Sequence, residues 1–314
     1  MPTSMTGRLF RGREIVDRRA RPPPPRRAVT VYAAGIALFT ALLMAPWATA
    51  SGRSAPFVDA FFTATSAVCV TGLVVVPTGT YWSGYGQVVI LLGIKIGGLG
   101  VMTLASILGM AVSRRIGLTQ KLLTASETKT TRLGEVGSLV RVVIITSTSL
   151  ELLIALLLLP RFIVLEETFG EAAWHGIFYG ISAFNNAGFI PTEHGLAPYV
   201  GDWMLCLPII LGVFIGSLGF PVILNVMRNR RRASKWSLHT KLTLTTSAAL
   251  VVVGTVLFAA VEWGNQRTLG PLDLGEKLLA SLFAGVMPRS GGFSTVDTGG
   301  MHEASWLITD ALMF

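Results

Sequence analysis

The sequence predicts an all-α polytopic membrane protein, built from repeated units of span, re-entrant loop and span. Three observations predict this fold class: long apolar runs, basic residues confined to alternate connections, and short apolar helices that each end at a glycine loop. Of the 314 residues, 51% are hydrophobic and only 14% are charged. That balance is typical of membrane proteins rather than of soluble domains.

Five apolar runs reach or approach the ~20 residues that a helix needs to cross a bilayer. They are Ala28–Ala50, Gln87–Val112, Val136–Pro160, Trp203–Met227 and Leu242–Trp263. The end of the first run resembles a signal-peptide cleavage site, but the run is longer than the ~7–15 apolar residues of a signal. An uncleaved first span is therefore favoured.

The chain has a net charge of +9, and its basic residues are concentrated in segments that alternate with the predicted spans. Of the 26 Lys and Arg residues, eight precede residue 28, five lie between residues 113 and 135, and six lie between residues 228 and 241. These segments alternate with the predicted spans, and basic residues favour the cytoplasmic side. The pattern predicts a cytoplasmic N-terminus, no nucleic-acid partner and a weak attraction to anionic membrane lipid.

Residues suited to catalysis or metal binding are sparse. The two cysteines, Cys69 and Cys206, both lie in apolar surroundings, and the four histidines are scattered along the chain. No metal-ligand spacing results, and no group of His, Asp and Glu falls at one depth of the spans. The sequence therefore predicts neither an enzyme nor a bound cofactor.

Each connection on the predicted outer side carries a short apolar helix. These helices cover Pro56–Ala67, Glu171–Ala183 and Leu274–Val286, and about a dozen residues are too few to cross a bilayer. A helix lying flat on the membrane is the alternative, but it normally shows one basic face, and these helices carry few charges. The irregular backbone that follows them is tolerated at membrane depth only inside protein or along a watery cavity.

The loops after these helices align on Gly72, Gly188 and Gly292, and the next residue is leucine or phenylalanine each time. Parallel copies of this kind indicate rotation about the membrane normal. The predicted organisation is a basic cytoplasmic tail at 1–27, a first repeat at 28–112, a second at 113–227 and an incomplete third at 228–314.

The glycines suit a pathway for cations. In a narrow pore, a ring of backbone carbonyls can replace the water that a cation sheds, and glycine adopts the unusual backbone angles that such a ring requires. One glycine after a helix is a weak signal, since many helices end this way. Three glycines at the same position of three loops predict that the loops meet at one pore.

At these motifs the sequence resembles the TrkH, KtrB and HKT potassium transporters, and most of all the bacterial KtrB-like members. Val70-Thr71-Gly72-Leu73 resembles the first filter segment of that family, Asn185–Phe189 the second and Arg289–Thr295 the third. Ile96–Thr103 and Gly216–Pro221 resemble the glycine-rich segments that follow the first two filters. The resemblance covers about residues 28 to 314.

The resemblance implies a K⁺-channel-like arrangement of four repeats around one pore, of which three are present. It implies potassium uptake across the plasma membrane, with coupling to Na⁺ or H⁺ left open. It further implies a homodimer and a cytoplasmic nucleotide-binding regulatory subunit of the KtrA or TrkA kind. The chain ends inside an apolar run at Phe314, where the resemblance implies that a gate and a fourth repeat follow.

The selectivity filter that the resemblance implies has three sets of residues. They are Val70, Thr71 and Gly72; Asn186, Ala187 and Gly188; and Ser290, Gly291 and Gly292. Arg289 is expected to support the third loop or to repel cations from a wrong path. In plant relatives a serine at the first glycine position is associated with sodium permeation, so Gly72 favours potassium.

Lys95 departs from the family pattern, since relatives commonly carry glutamine there. A lysine at the centre of a span costs ~2.5–3.5 kcal/mol on insertion scales. Two interpretations stay open: Lys95 pairs with Glu151 of the third span, or it extends to the nearer membrane surface. Lys95→Gln is expected to leave potassium uptake intact.

Two other functions stay open on the residues alone. A secondary transporter could bind another solute near the midplane between broken helices, although it would need more polar side chains inside the membrane. A non-conducting partner subunit is the second alternative. Neither matches the three glycine loops as directly as a potassium pathway does.

Overall fold

The computed structural model describes residues 24–116, 134–166, 168–230 and 232–313. Its longer helices are α1 (Pro24–Leu43), α2 (Phe57–Val68), α3 (Gly84–Ile116), α4 (Gly134–Leu165), α5 (Phe169–Phe184), α6 (Trp203–Ser217), α7 (Phe220–Arg228), α8 (Leu238–Glu262), α9 (Leu274–Val286) and α10 (Glu303–Met313), and a single helical turn lies at Thr78–Tyr81. Within these ranges an isolated bridge between Thr49 and Trp82 is the only β pairing. The predicted all-α class is confirmed.

Three of the described helices are long and apolar enough to cross a membrane. The qualifying segments are Gly84–Val101, Val140–Leu165 and Leu238–Glu262. The predicted first span is represented by a shorter apolar segment, Val29–Leu43. The basic tail before residue 24 and most of the basic segment that follows α3 lie outside the described residues.

The structure differs from the sequence prediction at the fourth span. Instead of one helix over Trp203–Met227, α6 and α7 form a pair bent by 100°. Gly219 lies at the break with φ 79°, and Pro221 occupies the first turn of α7. Glycine adopts this left-handed angle without a steric penalty, and proline cannot continue a preceding helix but suits the start of a new one.

The helices group into three units with the same order. The short helix α2 packs between α1 and α3, α5 packs between α4 and α6, and α9 packs against α8. Helix α10 also packs against α8. Neighbouring units meet where α5 contacts α3 and where α9 contacts α6.

Polar side chains cap the short helices α5 and α9 and the helix α6 that follows α5. Thr168 accepts a hydrogen bond from the backbone N–H of Glu171 at the start of α5, and Asp202 accepts two at the start of α6. Asp273 and Glu276 form a capping box at the start of α9. Because such caps are local, the starts of these helices are encoded in neighbouring residues.

The core consists of two main clusters, and α5 contributes to both. Phe178 belongs to the cluster that α1, α2 and α3 share, whereas Tyr179 and Phe184 belong to the cluster with α6 and α9. All three of these aromatic side chains are fully buried. The second short helix is therefore wedged between the first and third units, which sets where its loop lies.

Glu262 is a buried hub at the end of α8 that the sequence analysis did not identify. Its carboxylate accepts hydrogen bonds from the Asn265 and Thr268 side chains, each at 2.6 Å, and from the backbone N–H of His302 at 2.8 Å. The hydroxyl of Ser305 also donates to it. The four donors join the α8–α9 connection to the start of α10.

Glu262→Ala is expected to destabilise the protein by about 3 kcal/mol, because hydrogen bonds to a charged group are lost and buried donors are left unsatisfied. The measurement is thermal unfolding of the purified protein in detergent. Glu303→Ala, which removes an exposed carboxylate from the same region, is the control. Equal unfolding midpoints for the two variants would contradict the role of Glu262 as a hub.

Candidate functional site

The loops after α2, α5 and α9 share one backbone pattern. Val70, Asn186 and Ser290 have positive φ angles of 54°, 56° and 62°. Two residues later, the three aligned glycines have φ angles of 80°, 69° and 73°. Each loop therefore has a left-handed residue, one residue without positive φ, and a left-handed glycine, in the same register.

The left-handed non-glycine residues are a finding that the sequence analysis missed. Asparagine tolerates this conformation, but a β-branched residue such as Val70 rarely adopts it. Such strain persists only where the surroundings over-determine the backbone, and it clusters at functional sites. The glycine register was visible in the sequence, whereas nothing in the residue types of Val70 or Ser290 signals a positive φ.

Hydrogen bonds hold the first two loops in the same way. The Thr71 N–H donates to the Ser66 carbonyl at 2.8 Å, and the Ala187 N–H donates to the Ser182 carbonyl at 2.8 Å. Each bond closes a helix end around a left-handed residue in a Schellman motif. In the third loop, the Gly291 N–H instead reaches the nearer Met287 carbonyl at 2.9 Å, so that helix ends in a tighter turn.

The glycines lie where the loops touch. A Cβ placed on Gly72 would lie 2.3 Å from the Ala187 carbonyl oxygen, and one on Gly188 would lie 2.9 Å from the Gly292 Cα. Real Cβ atoms essentially never approach that closely. The second loop is therefore in backbone contact with both of the others, and the glycines allow that contact.

The residues that follow the glycines anchor the loops to different extents. Phe189 is fully buried and Phe293 is 3% exposed, whereas Leu73 is 61% exposed. Ser182 donates to the Phe189 carbonyl at 2.9 Å. The second and third loops are thus fixed in the core by an aromatic ring, and the first is not.

The glycine-rich segments of α3 and α6 pack under the loops. A Cβ on Gly97 would lie 2.1 Å from the Val68 carbonyl oxygen, and one on Gly216 would lie 2.0 Å from the Phe184 carbonyl oxygen. Val68 and Phe184 are the last residues of the short helices of the first and second units. The two glycine motifs therefore have the same role, which is close helix packing.

Arg289 lies at the junction of the second and third loops. Its guanidinium donates to the Ser247 carbonyl of α8 at 2.5 Å and lies 5.9 Å from the centre of the Phe214 ring. Its own carbonyl accepts a hydrogen bond from the Asn186 side chain at 2.9 Å. Both roles predicted for Arg289, support of the third loop and repulsion of cations from a wrong path, stay predictions.

The first and third loops also face one cavity of about 630 Å³. Its lining includes Val70, Thr71, Ser290 and Gly292, together with residues of α10. Asn186, Ala187 and Gly188 do not line it. The structure thus brings all three loops together by backbone contact, but only two of them share this cavity.

Lys95 and Glu151 form an ion pair between α3 and α4. This is one of the two interpretations that the sequence left open. The side chain of Lys95 is 19% exposed and that of Glu151 is 3% exposed, so the cation does not extend freely to the membrane surface. Glu151 also accepts a hydrogen bond from the Asn185 side chain at 2.8 Å, a contact that the sequence did not predict.

In the part of the chain that the structure describes, no group of three or more His, Cys, Asp or Glu residues could hold a metal ion. Rings of carbonyls coordinate cations without adding fixed charge. A role of the loop carbonyls in binding a cation stays a prediction.

The chain is similar to known proteins over most of its length. The family described as "TrkH: Cation transport protein" matches residues 28–314. The Ktr system potassium uptake protein B of Bacillus subtilis is 40% identical over 291 residues, which cover 93% of this chain and 64% of that protein. The chain thus spans slightly less than two thirds of the length of this relative.

Two further relatives show the same relationship. The Ktr system potassium uptake protein B of Vibrio alginolyticus is 34% identical over 290 residues, covering 91% of this chain and 63% of the relative. The potassium/sodium uptake protein NtpJ of Enterococcus hirae is 31% identical over 273 residues, covering 87% of this chain and 60% of the relative.

Proposed function

Since this chain belongs to the TrkH family of cation transport proteins, we propose that it takes part in potassium uptake across the plasma membrane. The relatives from Bacillus subtilis and Vibrio alginolyticus are named as potassium uptake proteins. The family match over residues 28–314 includes both glycine-rich segments and all three loops.

The observation that carries this proposal is the shared left-handed pattern of three loops in backbone contact. The carbonyls next to the aligned glycines are those of Val70 and Thr71, Asn186 and Ala187, and Ser290 and Gly291. In the proposed mechanism these carbonyls replace the hydration shell of the cation. The glycines allow the loops to approach closely enough to surround one ion.

Selection of potassium over sodium depends on the spacing of these carbonyls. Each loop carries glycine at the aligned position. A Cβ added to Gly72 or to Gly188 would lie less than 3 Å from a backbone atom of a neighbouring loop. A side chain at either position would separate the loops. The relative NtpJ is named as a potassium/sodium uptake protein, so we propose a preference for potassium rather than absolute exclusion of sodium.

We place the three units around one axis normal to the membrane, with the loops on the outer side and the N-terminus in the cytoplasm. The charge pattern of the sequence supports this orientation. The first and third loops face each other across the cavity of about 630 Å³. The boundaries proposed for the repeats are 28–112, 113–227 and 228–314.

The partners we propose are a second copy of the chain, a cytoplasmic nucleotide-binding subunit of the KtrA or TrkA kind, and membrane lipid. A basic pocket of about 510 Å³ lies between α7 and α8, lined by Arg228, Arg230, Arg232 and Lys235. Within the described residues none of these side chains pairs with a carboxylate. An acidic partner surface or an anionic headgroup would suit this pocket.

Growth of a bacterial strain that lacks potassium uptake tests the function. The complete gene product is expected to restore growth at low potassium and to leave the uptake of amino acids unchanged. Potassium and amino-acid fluxes in proteoliposomes then distinguish a potassium pathway from a carrier for another solute. Absence of potassium flux from a folded, membrane-inserted protein would contradict the proposal.

A further inference from the structure

The ion pair between Lys95 and Glu151 is connected to the second loop. One carboxylate oxygen of Glu151 contacts the Lys95 ammonium, and the other accepts a hydrogen bond from the Asn185 side chain at 2.8 Å. Ser147 and Thr148 complete the coordination of the ammonium at 3.3 and 3.1 Å. A contact chain thus runs from α3 through α4 to the end of α5.

Beyond these polar partners, the surroundings of the pair are apolar. Leu91, Leu92, Leu152, Ile177 and Ile181 line a small cavity of about 160 Å³ beside it. A buried ion pair adds little to stability, since well-packed apolar residues of similar volume often serve as well. Stability alone therefore does not account for two charges at this place, whereas the contact with the second loop gives them a use.

Asn185 transmits this contact into the loop. Its side-chain amide also donates to the Ile181 carbonyl at 2.9 Å, and the side chain lies against Gly98, where a Cβ would be 2.1 Å from its oxygen. The next residue, Asn186, has the left-handed φ of 56° and donates to the Arg289 carbonyl of the third loop. The orientation of Asn185 therefore bears on both the second and the third loop.

We infer that Glu151 is a positioning residue for the second filter loop, and that Lys95 holds its carboxylate in place. This inference rests on the proposed function. The carboxylate fixes the amide of Asn185, which immediately precedes the left-handed residue of the loop. Through this contact the ion pair contributes to potassium selection without touching the ion.

The equivalent residue of the third loop is held in a similar way. Arg289, like Asn185, lies three residues before the aligned glycine, and it donates to the Ser247 carbonyl of α8. In both units the first long helix thus supports the loop of its own unit. The first loop has Cys69 at this place, and this cysteine is exposed and unpaired.

The test measures potassium and sodium flux through the complete gene product in proteoliposomes. Glu151→Ala is expected to lower the ratio of potassium to sodium flux about tenfold, because a hydrogen bond to a charged group is lost. Lys95→Gln is expected to keep potassium uptake but to lower the ratio about threefold, since the carboxylate loses its partner.

The double variant Lys95→Gln/Glu151→Gln provides the rescue. Its new amide oxygen can accept from Asn185 and no charge is left unpaired, so the flux ratio is expected to return to within about twofold of wild type. Arg161→Gln is the matched control. It breaks another ion pair of α4, with Asp202, that does not contact the loops, and it is expected to leave the ratio unchanged.

Two results would overturn the inference. One is a folded Glu151→Ala protein that keeps the wild-type flux ratio and loses only thermal stability. The other is a double variant that is as unselective as Glu151→Ala. For a variant that does not conduct, the thermal unfolding midpoint of the purified protein is measured in KCl and in NaCl, and the two midpoints are compared. Loss of the potassium preference supports the inference, and an unchanged preference overturns it.

The outcome for the wild-type protein separates this inference from the proposed function. If the wild type shows no preference for potassium in flux or in stabilisation, the proposed function fails and the inference fails with it. If the wild type prefers potassium and the Glu151 variants do too, only the inference fails.

Discussion

Gly188→Ala is expected to lower the ratio of potassium to sodium flux by about tenfold or more, because backbone strain of 1–3 kcal/mol is added at the centre of the site. Gly188 has a φ of 69°, and an added Cβ would lie 2.9 Å from the Gly292 Cα. The second and third loops must move apart to admit the methyl group. The effect is measured as the uptake of rubidium, used in place of potassium, and of sodium into proteoliposomes.

Gly52→Ala is the control for strain alone. Gly52 also has a φ of 69°, but an added Cβ would meet no atom within 4 Å. The control is expected to lose some stability and to keep its selectivity. A Gly188→Ala protein that is folded and as selective as Gly52→Ala would remove the second loop from the filter.

Serine at any of the three aligned glycines is expected to act in the same direction. Gly72→Ser would place its Cβ 2.3 Å from the Ala187 carbonyl oxygen, and Gly292→Ser would place it 3.0 Å from the Gly188 Cα. Each substitution should therefore raise sodium flux relative to potassium flux. Unchanged selectivity in all three variants would contradict the filter assignment as a whole.

Gly97→Ala is expected to produce the second large effect, a loss of stability of about 3 kcal/mol, the upper part of the range for overpacking a core. The added Cβ would lie 2.1 Å from the Val68 carbonyl oxygen, and backbone cannot yield as a flexible side chain does. Helix α3 must then separate from the end of α2. Thermal unfolding in detergent and potassium-dependent growth both report the loss.

Gly84→Ala provides a control on the same helix. An added Cβ at Gly84 has no neighbour within 4 Å, and alanine favours a helix by about 1 kcal/mol over glycine. Gly84→Ala is therefore expected to be neutral or slightly stabilising. If Gly97→Ala were as stable as Gly84→Ala, the close packing of α3 against α2 would be wrong.

Local sequence was sufficient to predict most of the helices. The short helices were expected at Pro56–Ala67, Glu171–Ala183 and Leu274–Val286, and they occur at Phe57–Val68, Phe169–Phe184 and Leu274–Val286. Apolar composition and polar residues at the starts of the helices are short-range signals.

The broken fourth span shows where local reasoning was incomplete. Gly219 and Pro221 stand inside an apolar run that reads as one helix by hydropathy. The glycine followed closely by proline was the available signal for a break. Hydropathy outweighed it in the prediction, because a run of that length satisfies the usual criterion for a span.

Some features of the candidate site were likewise predictable from the sequence, and others were not. The sequence by itself was sufficient to predict that the aligned glycines are needed in the loops, because only glycine combines a left-handed φ with close contact between two backbones. It also offered Glu151 as a possible partner for Lys95, because an isolated charge inside a span needs a partner or water, but it left extension of Lys95 to the membrane surface open. Only the structure showed that Val70 and Ser290 have left-handed backbone angles. It also showed that Glu151 accepts a hydrogen bond from Asn185 and that Glu262 accepts hydrogen bonds from four donors. The contacts of Glu151 with Asn185 and of Glu262 with His302 and Ser305 join residues far apart in the chain, whose proximity arises only when the helices pack.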